Sequence, residues 1–80
     1  MKEKTETAAT RTRGHLKSML GFAKRGKENE VDISRSQVVN LIGEVSVEER
    51  PGIEREVKRA EDEAIRLVNK FREENRSQGV

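Results

Sequence analysis

Apolar residues in this 80-residue chain gather into three periodic stretches, separated by polar and glycine-containing joints. The first holds Leu16, Met19, Leu20 and Ala23 at i, i+3, i+4 and i+7, which forms one stripe on an α-helix. The spacing predicts a helix over residues 12–25, stopped by Gly26, with Lys24, Arg25 and Lys27 suited to the negative end of the helix dipole. Upstream, Met1 to Thr10 is polar and has no period; it is expected to be a disordered tail. In the second stretch, Ser34 with Gln37 three residues later reads as a capping box. Val38, Leu41, Ile42 and Val45 then repeat the same stripe. Val31 and Ile33 flank Asp32 just before it, which suits a very short extended segment.

The third stretch is the longest. Pro51 fits a first helical position, where its missing N–H costs nothing, and Ser46 with Glu49 makes another capping pattern upstream. From Ile53 to about Asn75 nothing breaks the helix, so it would be roughly 35 Å long at helical rise. Ile53, Val57, Ala60, Ala64, Leu67 and Phe71 are spaced 4, 3, 4, 3, 4, an a/d heptad seam that the two alanines make thin. Ile65 and Val68 widen the apolar face toward the C-terminus. The seam has two readings: self-pairing in a homodimer, which is favoured because the helix outruns two short partners, or packing under the first two helices. The expected fold is therefore all-α. It comprises a disordered N-terminal tail, then one small helical domain over residues 11–80 with two short amphipathic helices and a long C-terminal one.

The first two helices also resemble each other. At an offset of twenty-two, Thr12 to Gly21 lies over Ser34 to Gly43, with Arg13 over Arg35 and the apolar stripe matched throughout. A duplication would explain this, but two amphipathic helices with a coincident glycine is the preferred explanation.

Composition bears on size and stability. Leu, Ile, Val and Phe number 18, just above the roughly 20% at which chains stop folding alone. A core this small supplies about 3–5 kcal/mol, so an oligomer or a partner is expected to add to it. The absence of cysteine excludes a disulfide framework and thiolate chemistry. The first twenty residues lack a signal-peptide core and no run approaches a membrane span, so a cytoplasmic protein without membrane insertion is expected.

No enzymatic constellation emerges. His15 is the single histidine and has no acid at i±3 or i±4 to share a metal with it or orient it as a base. Glu61, Asp62 and Glu63 are consecutive and so point in different directions on a helix, and no glycine-rich phosphate loop follows a strand. No catalytic residue, metal ligand or cofactor site is expected.

Charge is more informative when divided along the chain. Residues 1–27 carry net +6, residues 28–49 net −5 and residues 50–80 net +1. Arg11, Arg13, Lys17, Lys24, Arg25 and Lys27 lie in or beside the first helix. On the third, Arg55, Arg59, Arg66 and Lys70 fall at i, i+4, i+11 and i+15, a ridge of about 22 Å. Taken alone this ridge is better read as a solvated helix face balanced by Glu56, Glu63 and Glu74 beside it, so the cluster around the first helix is the stronger signal. Basic side chains along a rigid rod suit a phosphate backbone, through counterion release. The expectation is a non-catalytic nucleic-acid-binding protein in a regulatory or architectural role. With only Phe22 and Phe71 available for base stacking, duplex fits better than single strand. A ribbon-helix-helix would set Glu30 and Asp32 against the phosphates. A helix-turn-helix centred on Gly43 would begin its reading helix with two acids and a proline, so neither pattern suits.

The alternative is a small inhibitor or adaptor that lays the basic amphipathic first helix, Leu16 to Ala23, into a groove on an acidic protein. In that direction, Glu30-Val31-Asp32-Ile33-Ser34 followed by helices resembles flagellar anti-sigma factors, and Val47 to Asn75 resembles the long helices of the ribosome recycling factor family. Neither resemblance covers a distinctive motif, and no functional residue is carried over from either. A membrane-surface role for the first helix ranks last, because large apolar residues are few.

Overall fold

The computed structural model describes residues 7–78, with side chains as far as Arg76. Three α-helices follow one another: α1 (Ala8–Lys24), α2 (Glu28–Ile42) and α3 (Arg50–Gln78), and no strand occurs among the described residues. The all-α fold with two short helices and one long one is thus the observed architecture.

Helix α1 starts earlier than the apolar stripe suggests. Thr7 caps it by accepting a hydrogen bond from the Thr10 N–H at 3.2 Å, and Ala9 is buried one turn before the expected start. Thr7 is therefore a cap and residues 8–10 are helical, and residues 1–6 of the expected tail lie outside the described residues. Thr12, expected at the helix start, is inside α1 and fully buried, its hydroxyl donating to the Ala8 carbonyl at 2.8 Å. At the other end Gly26 does stop α1. Its φ of 71° puts it in the left-handed region, the Lys27 N–H donates to the Phe22 carbonyl and the Gly26 N–H to the Ala23 carbonyl. This is a Schellman cap, which satisfies carbonyls that the helix leaves free.

Helix α2 corrects two expectations. It begins at Glu28 rather than at Ser34, and residues 31–33 are helical rather than extended. Glu28 and Glu30 favour its first turn through the helix dipole. The alternation Val31-Asp32-Ile33 is too short to impose a strand, and Val31 packs against the core at helical spacing from Val38. Ser34 is then not a cap but a buried mid-helix residue, 4% exposed, occupying an apolar position of the stripe.

Between α2 and α3 the Ser46–Glu49 pattern does form. The Glu49 N–H donates to the Ser46 hydroxyl at 3.3 Å, and the hydroxyl donates to the Glu49 carboxylate at 3.1 Å. Arg50 clasps this loop from the start of α3, donating to the Val45 carbonyl at 2.9 Å and to the Gly43 carbonyl at 3.4 Å. Val45 is buried beneath it.

Contacts between the helices show their directions. Arg13 meets Glu56 near the starts of α1 and α3, and Phe71 lies over Gly26 near the end of α1, so these two helices run parallel. Arg72 meets Glu28, and Arg35 meets Glu61, so α2 runs antiparallel to α3. Helix α1 is the hub that packs on both others, while α2 and α3 touch least. Met19 and Ile53 are each 1% exposed and Ala23 is sealed at 0%, surrounded by Leu16, Val38, Val57 and Ala60 in one core.

This packing corrects the expected dimer interface. Ile53, Val57, Ala60 and Ala64 are buried within the single chain, Leu67 is half-buried against the same core, and Phe71 covers Gly26. The thin middle of the seam admits α1 rather than a second α3, because two alanines remove the bulk that would hold the helices apart. The seam is part of this chain's own core.

Candidate nucleic-acid interface

All ten basic residues singled out in the sequence are exposed, and the parallel packing of α1 and α3 sorts them into groups. Arg13, Lys17 and Lys24 stand at i, i+4 and i+11 along one edge of α1. The Arg13–Glu56 pair shows that this edge faces α3. On α3, Ile53, Val57, Ala60 and Ala64 point into the core, which turns the line of Arg55, Arg59, Arg66 and Lys70 outward. Two basic rows more than thirty residues apart in sequence thereby run side by side. Arg11 and Arg25 lie round α1 from this edge, on its open side, and Lys27 is in the turn after it. These three do not join the paired rows.

Acids interrupt the face: Glu56 and Glu63 are held by arginines of the rows, and Glu73 and Glu74 stand exposed beside its C-terminal end. Arg13 holds Glu56 through a two-pronged contact, Nε to Oε1 at 3.0 Å and Nη2 to Oε2 at 3.1 Å. The hydrogen bond from Arg13 lowers the Glu56 pKa below the ordinary glutamate value, partly opposed by desolvation, and the same bond raises Arg13. Arg66 grips Glu63 on its own helix at 3.1 and 2.6 Å, and this hydrogen bond raises the Arg66 pKa. Arg55 turns its Nε back toward the Pro51 carbonyl at 3.5 Å. Lys17, Lys24, Arg59 and Lys70 are engaged by no ion pair among the described residues. They are the cations left for an external anion. The face is thus positively charged over much of its length. His15 is half-buried away from any acid pair, and no group of three metal-binding side chains occurs among the described residues.

The rest of the charge lies elsewhere. Arg35–Glu61 at 3.1 Å and Arg72–Glu28 join α2 to α3 on the flank away from the basic rows. These pairs and the Arg50 clasp were not evident from spacing alone. One signal was available: Arg35 sits over Arg13 at the offset of twenty-two, and each arginine reaches a glutamate of α3. No helix of the described residues is long and apolar enough to cross a membrane.

No family model, curated protein or solved structure matches this chain.

Proposed function

We propose that this protein binds the phosphate backbone of duplex nucleic acid, without catalysis and in a regulatory or architectural role, through the face shared by α1 and α3. The observation that carries this reading is the convergence of two basic rows onto one face. Arg13, Lys17 and Lys24 lie on α1, and Arg55, Arg59, Arg66 and Lys70 lie on α3, which interact in parallel. Phosphates reward such spacing because each neutralised charge releases condensed counterions. Glu56 and Glu63 each neutralise one arginine of the face, Arg13 and Arg66, while Lys17, Lys24, Arg59 and Lys70 take part in no ion pair among the described residues. Arg11, Arg25 and Lys27 extend the positive field beyond the two rows.

The adaptor reading through the first helix is less favoured. Leu16, Met19 and Ala23, the side chains that α1 would lay into a partner's groove, are buried in this chain's own core. Offering them would require opening the bundle.

The test is binding of a fluorescein-labelled random-sequence duplex, followed by anisotropy across a salt series. With six or more phosphate contacts, affinity should fall about 10³-fold or more between roughly 50 and 200 mM salt. A Lys17→Glu, Lys24→Glu, Lys70→Glu variant should lose binding at low salt while keeping its helical circular dichroism. Wild-type protein that leaves the duplex free at low salt, or a triple variant that binds as well as wild type, would refute the proposal.

A further inference from the structure

Helices α2 and α3 diverge on the flank opposite the basic rows and leave a groove of about 270 Å³. Its floor is Met19 of α1 with Ala64, and its walls are Val31 and Val68. Ile65 stands on its lip, 59% exposed although it is a large aliphatic. The groove has a frame as well as a floor. Arg72–Glu28 crosses it toward one end and Arg35–Glu61 toward the other. Beyond the second pair the depression continues to Ile42 and Val57.

Charge on the lips is unbalanced. Each arginine lining the groove is consumed by a cross-groove glutamate, whereas Asp32 on α2 and Asp62 on α3 take part in no ion pair among the described residues. An apolar floor between two unpaired carboxylates is complementary to a bulky apolar side chain with cations beside it. Neither a bare apolar surface nor an acidic helix meets that pattern, because each would leave Asp32 and Asp62 unanswered or repelled.

We propose that this groove docks a basic amphipathic helix of another protein. A bulky apolar anchor sits between the two ion pairs, and Lys or Arg one turn away on either side meets Asp32 and Asp62. The contact belongs to the helix-in-groove mode, in which a few spaced anchors supply affinity and flanking charges supply orientation. It is independent of the basic face, so one molecule can hold a polyanion on one flank and a cationic helix on the other.

The chain contains no Trp or Tyr, so a tryptophan in a peptide can be watched alone. The probe is a four-turn amphipathic peptide of leucine and lysine with one central tryptophan, compared with a counterpart bearing glutamate for lysine. The expected result is a blue shift of the tryptophan emission with the lysine peptide only. The Asp32→Asn, Asp62→Asn double variant should weaken binding about tenfold, as expected for two exposed charge pairs. Ile65→Glu should abolish it. Ile33→Glu, which adds the same charge at an equally exposed isoleucine outside the groove, should leave it intact. Amide shifts should cluster at Val31, Asp32, Ile65 and Val68. The proposal is overturned if neither peptide binds, if both bind alike, or if the double variant and Ile65→Glu bind as wild type does. It is equally overturned if sedimentation shows a dimer that Ile65→Glu dissociates, which would assign the groove to a second copy of this chain.

Discussion

Helices α1 and α2, the latter with the turn that follows it, carry matched residues. Thr12 and Ser34, Leu16 and Val38, Met19 and Leu41, and Ala23 and Val45 correspond at the offset of twenty-two, and every one of these eight is buried. Leu20 and Ile42 correspond and are both half-buried. Arg13 and Arg35 correspond, and each reaches a glutamate of α3, at 3.0 and 3.1 Å. Yet α1 beds down on α3 while α2 stands off and leaves a groove. The difference arises on α3. Toward α1 it offers Ala60 and Ala64, which allow close approach. Toward α2 it offers Glu61, Ile65, Val68 and Arg72, whose longer side chains keep the backbones apart and two of whose charges require partners at the surface. Two helices with the same stripe can therefore have different packing depths, because depth is set by the volume of what they meet.

The hardest test of this comparison removes the side chain common to both seams. Met19 is 1% exposed, in the α1 core and under the groove. Met19→Ala should cost about 2–4 kcal/mol through lost burial and an unfilled cavity. In a domain of about 3–5 kcal/mol, this leaves much of the population unfolded in a urea titration followed by circular dichroism. Ile65→Ala on the open side should stay within about 0.5 kcal/mol of wild type. Equal losses from the two substitutions would mean the α2–α3 flank is packed as tightly as the α1–α3 flank.

A smaller effect is expected where α1 ends against α3. A Cβ on Gly26 would stand 2.3 Å from the Phe71 ring, at a φ of 71° that L-residues adopt reluctantly. Gly26→Ala should cost about 1–2 kcal/mol from the backbone, with more for displacing the ring. The same substitution in a Phe71→Ala background should cost less than in wild type, since only the backbone part remains. Equal costs in the two backgrounds would show that the ring gives way freely.

The smallest effects belong to the surface pairs. Glu56→Gln and Glu61→Gln should each lower the melting temperature by a few degrees at most, because exposed ion pairs are screened by water and salt. For Glu56 the pH dependence has a definite sign. Its folded-state pKa is lowered by Arg13, so its contribution is present above the ordinary glutamate range and lost as pH falls through the lowered folded value. The melting temperatures of wild type and Glu56→Gln should therefore converge in acid. A gap that widened on acidification would contradict the assignment.

Much of the local structure is legible in the sequence. The apolar stripes locate all three helices, Gly26 marks the end of α1, and Ser46 with Glu49 marks the entry to α3. Each of these rests on contacts within a few residues. The errors fall where a polar residue has two possible roles. Thr12 and Ser34 carry the side chains of caps, yet both are buried inside helices, because upstream Ala9 and Val31 also contribute to the packed face and draw the helices back to Ala8 and Glu28. Of the candidate interface, the basic residues themselves were readable. Their grouping was not, since Arg13, Lys17 and Lys24 share an edge with the α3 ridge only if α1 and α3 run parallel.

The sequence by itself determined that three amphipathic helices form and that Ile53, Val57, Ala60 and Ala64 must be covered. Periodicity records that a face leaves water but not what covers it. Only the tertiary structure decided that α1 covers that seam within the same chain, that two basic rows thereby lie side by side, and that α2 stops short of α3 with Asp32 and Asp62 in no ion pair among the described residues. The physical reason is that helix formation depends on neighbours a turn away, whereas helix pairing depends on side-chain volume and charge contributed by segments far apart in the chain.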